Sequence, residues 1–169
     1  MNIKRSTMNR ILLLAVALAA TVQAIADEAA DREAVIDVID AFFESMTARD
    51  VERMRTLLTP DGIIYGYRES DEGLQIIRPT HADYLENLAN GEGQPVERYW
   101  DPEIMLSGRL ATIWTPYDFH NDGQFSHCGI NNFSMLKTDD GWVITGVVFS
   151  IHAENCPESP LGPLADSAQ

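Results

Sequence analysis

The second half of the chain most constrains the fold. From position 96 to 152 long runs of strand-forming residues alternate with tight-turn sequences. Strands are expected over 96–106, 110–120, 124–137 and 142–152, joined at Asn121-Asp122-Gly123 and Thr138-Asp139-Asp140-Gly141. The Asp-Gly pair suits a type I′ turn, which needs positive φ at both central residues and matches the twist of the flanking strands. Such a run of long hairpins must form one antiparallel sheet.

Helical signals lie before it. Over 28–49 the residues Val35, Ile39, Phe42, Phe43 and Met46 recur at spacings of three and four, giving a helix with one apolar stripe. Asp50 is placed to cap a short second helix through Met54 and Leu57, which Pro60-Asp61-Gly62 is expected to stop with a turn. A strand pair over 63–67 and 74–77 surrounds the charged loop 68–73. Thr80 and Asp83 then form a capping-box start to a third helix, which buries Tyr84, Leu85 and Leu88 and ends at Asn90-Gly91. His81, beside that cap, reads as a surface residue. No repeat or linker interrupts the chain before a tail marked by Pro157, Pro160 and Pro163.

This order is α+β, with three helices packed on the concave side of a curved antiparallel sheet. The motifs Trp114-Thr115-Pro116-Tyr117-Asp118-Phe119, His127-Cys128-Gly129, Phe133 and Asp140-Gly141-Trp142 resemble the NTF2-like superfamily. The nearer likeness is to its exported SnoaL-like and "putative lumazine-binding" branch. The resemblance implies a cone with a pocket. It implies no particular reaction, because isomerases, dehydratases and non-catalytic binders share that scaffold.

The N-terminus reads as a signal peptide over 1–26. Lys4, Arg5 and Arg10 precede an apolar run of about ten residues, and Ala24-Ile25-Ala26 supplies a cleavage pattern. The run is too short to span a bilayer, which takes roughly 20 apolar residues. The domains expected are therefore the leader, an NTF2-like domain over 27–156 and a Pro-rich mobile tail over 157–169, in a periplasmic or secreted protein. The leader holds three of the twelve basic residues and none of the twenty-six acidic ones, so its removal takes the net charge from −14 to −17. Neither nucleic acid nor an anionic membrane suits such a domain, since both are bound by clustered Lys and Arg.

Register assigns faces. Unbroken pairing from the first hairpin sets His127 opposite Asp118 and Asn131 opposite Trp114, and pairing from the second sets His152 beside His127. One face then gathers Asp118, His127, His152, Asn131, Trp114 and Phe133, while Ile113, Tyr117, Cys128, Ile130, Val147, Phe149 and Ile151 take the other. Two assignments are open: the polar and aromatic face lines the pocket, or it is the outer face and makes a dimer contact. A one-residue slip or a bulge inverts the answer.

In the pocket assignment, Asp118 orients His127 as a general acid or base, and Tyr65 and Tyr67 donate hydrogen bonds to a developing oxyanion. The alternative is that Asp118 and His127 merely satisfy each other at a hairpin end. His120 at the turn is not expected to converge with His127 and His152, so no metal is implied. Without a phosphate-binding or nucleophile-elbow motif, no cofactor is implied either. Cys128 and Cys156 can bond in an oxidising compartment only if the chain folds back after His152, which Glu154-Asn155 permits.

The leading expectation is an exported domain that binds a small, mainly apolar or aromatic molecule in its cone, with cofactor-free isomerase or dehydratase chemistry as an open addition. The alternative is a non-catalytic, homodimeric interaction module.

Overall fold

A computed structural model describes residues 3–71 and 73–164, with side chains from Ile25 onward. Residues 1 and 2 of the expected leader and the last five residues of the expected tail lie outside that description, and of the leader's side chains only those of Ile25 and Ala26 are included. The chain divides into two compact units, Met1–Ala34 and Val35–Gln169. The first is helical over all its described residues. No helix among the described residues is long and apolar enough to cross a membrane. The sheet and the two shorter helices belong to the second unit.

Helix α1 (Ile3–Ala48) gives this second unit its apolar stripe, and Val35, Ile39, Phe42, Phe43 and Met46 are all buried. Arg49 ends it in the left-handed region at φ 52°. Asp50 caps α2 (Val51–Leu57) by accepting a hydrogen bond from the Arg53 amide. Thr80 and Asp83 form a complete capping box at the start of α3 (His81–Asn90).

The strands are β1 (Leu58–Ser70), β2 (Gly73–Ile77), β3 (Pro95–Tyr99), β4 (Glu103–Ser107), β5 (Leu110–Asn121), β6 (Gln124–Thr138) and β7 (Gly141–Ile151). They form one sheet in the order β2-β1-β7-β6-β5-β3, with β4 also on β5. Phe42 and Phe43 meet the ring of Phe133 edge-on at 5.5 and 5.9 Å, fixing α1 over one face. Such ring pairs add about 1 kcal/mol each beyond the burial of their area.

Four expectations change. The sheet is mixed, because β1 runs parallel to β7. The expected strand over 96–106 is two, broken where Asp101 takes φ 45°. Pro60-Asp61-Gly62 does not end in a turn but lies in a bulge of β1, where five residues of β1 span two of β7. His81 sits under that bulge and is buried, not on the surface: its Nδ1 is 2.7 Å from the Thr59 carbonyl oxygen. Gly62 is required there, since a Cβ would lie 2.0 Å from the His81 ring.

Two further bulges decide the site. Pairing of β5 with β6 starts as expected at Asn121 with Gln124 and His120 with Phe125, then skips Ser126, so that His127 faces Phe119 and Cys128 faces Asp118. Between β6 and β7, Met135 faces Ile144, but Ser134 faces Gly146, with Thr145 passed over. The middle of β6 is thus offset by one residue from both neighbours, which reverses its faces relative to theirs.

Candidate functional site

Between the helices and the sheet lies a cavity of about 570 Å³. Its walls are largely aromatic and aliphatic: Phe42 from α1, Leu88 from α3, Phe119 from β5, Phe133 from β6, and Phe149 with Ile151 from β7. A volume of this size suits a small organic molecule. Arg49 holds one end of it. Its guanidinium donates to the carbonyl oxygens of Leu88 at 2.9 Å, Glu92 at 2.7 Å and Gly93 at 2.8 Å, tying the end of α1 to the segment that leaves α3.

Polar residues interrupt these walls. Glu97, on β3 opposite Phe119, presents its carboxyl to the cavity, and its Oε1 accepts a hydrogen bond from Asn131 Nδ2 at 2.6 Å. Burial pushes this carboxyl up to about 7; the Asn131 hydrogen bond opposes the rise and the Asp118 charge adds to it. Tyr84, stacked on Phe42 at 5.8 Å, has a buried hydroxyl with no partner among the described residues. Burial, then the Glu97 charge, raises its pKa well above the ordinary tyrosine value. Tyr117 is fully buried and donates to the Ser150 carbonyl oxygen at 2.8 Å. Its ring crosses Gly129, where a Cβ would meet the Ser150 oxygen at 1.9 Å.

His127 lines the same cavity, stacked on Phe119 at 4.9 Å and edge-on to Tyr117 at 5.7 Å. Burial, with the Arg68 charge, pulls it down to about 4, so the imidazole is neutral at ordinary pH. Its Nδ1 is 3.0 Å from the Ser126 hydroxyl.

The expected cluster is divided. His127, Asn131 and Phe133 line the cavity. Asp118, Trp114 and His152 take the opposite face of the sheet, because the bulges reverse β6 alone. The expected pairing of Asp118 with His127 is therefore corrected: Asp118 is ion-paired to Arg98, whose Nη2 approaches Oδ2 at 2.5 Å and whose Nε lies 2.9 Å from Oδ1. His120 Nε2 stands 3.4 Å from the same carboxylate. Desolvation works against the Asp118 charge, but the Arg98 hydrogen bonds prevail and hold its carboxyl below the usual range.

Tyr65 and Tyr67 are likewise not in the cavity. They are partly exposed on β1 beside Val148 and Ser150, with Arg78 5.3 Å over the Tyr65 ring. The same offset puts Cys128, expected on the apolar face opposite Ile151, beside His152 on the outer face. The chain bends back after His152, Asn155 takes φ 57°, and Cys128 and Cys156 are joined by a disulfide with Cα atoms 5.9 Å apart.

Sequence reasoning missed Glu97, Tyr84 and Arg49. Only the pairing of β3 with β5 sets Glu97 on the Phe119 face, and the break at Asp101 hides that register.

Comparison with known proteins places this geometry. Residues 30–150 match the family described as "Putative lumazine-binding". No curated protein matches the chain in sequence. Among solved structures, an NTF2-like protein with a cystatin-like fold from Novosphingobium aromaticivorans is 17% identical, with a TM-score of 0.61 over 82% of this chain and 90% of that one. An NTF2-like superfamily protein from Salmonella enterica is 17% identical, with a TM-score of 0.61 over 76% and 96%. A "putative dehydratase" of the NTF2-like family from Streptomyces avermitilis is 17% identical, with a TM-score of 0.60 over 74% and 98%.

Proposed function

The chain belongs to the family described as "putative lumazine-binding", within the NTF2-like superfamily, and from that membership we propose that it is an exported domain whose cavity binds a small, mainly apolar or aromatic molecule. The observation that carries this reading is the largely apolar wall of a cavity of about 570 Å³, interrupted by polar residues among which Asn131 is hydrogen-bonded to Glu97. Apolar walls supply affinity and a few placed polar atoms supply orientation. His127, neutral and stacked on Phe119, acts as a flat wall and a hydrogen-bonding group. It is not an imidazole oriented by Asp118. For isomerase- or dehydratase-type proton transfer in this cavity we assign Glu97, which faces the cavity beside Asn131 and is pushed up to about 7, a position that suits both giving and taking a proton. Export rests on the basic start and apolar run of residues 1–26, and a disulfide between Cys128 and Cys156 accords with an oxidising compartment.

The homodimer is a second reading with its own observation. Trp114 and Val148, each half exposed, stand on the outer face of the sheet in line with Tyr65, and apolar side chains grouped in this way mark a contact between copies. The two readings use opposite faces of one sheet and are compatible.

One measurement tests the main reading. A native mass spectrum of the protein purified from the exported fraction should show a chain beginning at Asp27, together with a small molecule released on denaturation. A spectrum of the bare chain alone, under conditions gentle enough to keep non-covalent complexes, overturns the binding reading; a chain that keeps residues 1–26 overturns export.

A further inference from the structure

Glu97 is a carboxyl on the cavity wall without a cationic partner among the described residues. A buried carboxyl in a folded protein is nearly always paired or fully hydrogen-bonded, because desolvating an isolated charge is costly. Here Oε1 is held by Asn131, while Oε2 accepts no hydrogen bond among the described residues. No Lys, Arg or His nitrogen among them stands within ion-pair distance of Glu97.

The neighbouring cations are committed elsewhere. Arg98, next in the chain, is bound to Asp118 through two nitrogens. Arg49, at the cavity wall, donates to three backbone carbonyl oxygens. His127, on the cavity wall, is neutral. Arg68 acts on His127 and Tyr117, whereas the charge that bears on Glu97 itself is acidic, that of Asp118 behind the strand. The same cavity is lined by Phe42, Phe119, Phe133 and Phe149, aromatic residues whose ring faces attract a cation as well as pack a hydrocarbon.

We infer that the molecule bound in this cavity carries one protonated nitrogen on its apolar or aromatic frame, as an arylalkyl ammonium or an amidinium does, and that Glu97 Oε2 is its counter-ion. The inference rests on the binding reading above and narrows it to a ligand class. The ligand completes the pair that the protein leaves open: nitrogen on the carboxylate, hydrocarbon against the rings. A carboxyl poised near neutrality gives up its proton readily when such a cation arrives. The protein's net charge of −14 draws cations toward the cavity before contact.

Two probes of matched shape test this: 2-phenylethylamine, protonated at pH 7.5, and 2-phenylethanol, which is neutral. Affinities are measured by titration calorimetry on the purified protein and on Glu97→Gln, whose amide keeps a partner for Asn131. The ammonium should bind the unaltered protein about thirtyfold more tightly than the alcohol, the range expected of a hydrogen bond to a charged group. In Glu97→Gln that advantage should vanish while the alcohol still binds, which also shows that the variant is folded. The inference is overturned if the alcohol matches the ammonium on the unaltered protein, or if the preference survives in Glu97→Gln; the cavity reading stands in both cases. If neither probe binds the unaltered protein, both fall together.

Discussion

Glu97 and Asp118 sit on paired strands of one sheet, one position apart in the ladder, and their carboxyls behave in opposite ways. Asp118 faces outward, is almost fully buried, and is held ionised by two bonds from Arg98. Glu97 faces inward, has one amide donor, and is driven toward the protonated form. Burial alone does not distinguish them, since it penalises both charges. The partner does. The outer carboxylate is finished within the protein and belongs to its stability, whereas the inner one is left open and belongs to whatever enters the cavity.

The largest test of this contrast is Asp118→Ala. It strands Arg98 in a site where its side chain is only 17% exposed, and removing one member of a buried pair costs about 3–5 kcal/mol. Urea unfolding should show a loss in that range; a change below about 1 kcal/mol would mean that the outer pair is not structural.

The inner carboxyl should respond with the opposite sign. Its folded value of about 7 lies above an unfolded value of 4.5, so the native state holds a proton that the unfolded state has lost. Stability present below pH 4.5 is therefore lost as pH rises through 7. Glu97→Gln should remove that fall and be more stable than the unaltered protein at pH 8 by about 2–3 kcal/mol, with no gain at pH 4. Equal melting temperatures for the two proteins across that range would erase the distinction between the carboxyls.

The smallest change in stability is expected at Trp114→Glu, on the exposed part of the outer face. Folding of the single chain should shift by no more than about 0.5 kcal/mol, yet light scattering should show a dimer falling to a monomer. A persistent dimer would place the contact between copies elsewhere.

The sequence made local features readable and left relational ones hidden. The stripe of α1, the Asp50 cap, the Thr80–Asp83 capping box and the Asp122-Gly123 turn each depend on residues within a few positions, and all are present. The faces of the sheet depend on counting along paired strands, and each bulge alters the count by one. Nothing in the residues Ser126 or Thr145 announces that they are passed over. His127, Asn131 and Phe133 nevertheless reach the cavity as a group, because they share β6 and keep their mutual parity. Asp118, Trp114 and His152 were linked to them only by cross-strand register, and were separated by it. The mixed character of the sheet was hidden for the same reason: the parallel contact of β1 with β7 joins residues some eighty positions apart.

The disulfide gives those bulges a covalent consequence. Cys128 stands beside His152 through reciprocal backbone bonds of 3.0 and 2.8 Å, and only from the outer face can its sulfur meet the returning Cys156. A nascent sheet slipped by one residue would turn Cys128 inward and leave the two thiols apart. The bond thus ties the returning chain to the one strand register in which Cys128 faces outward.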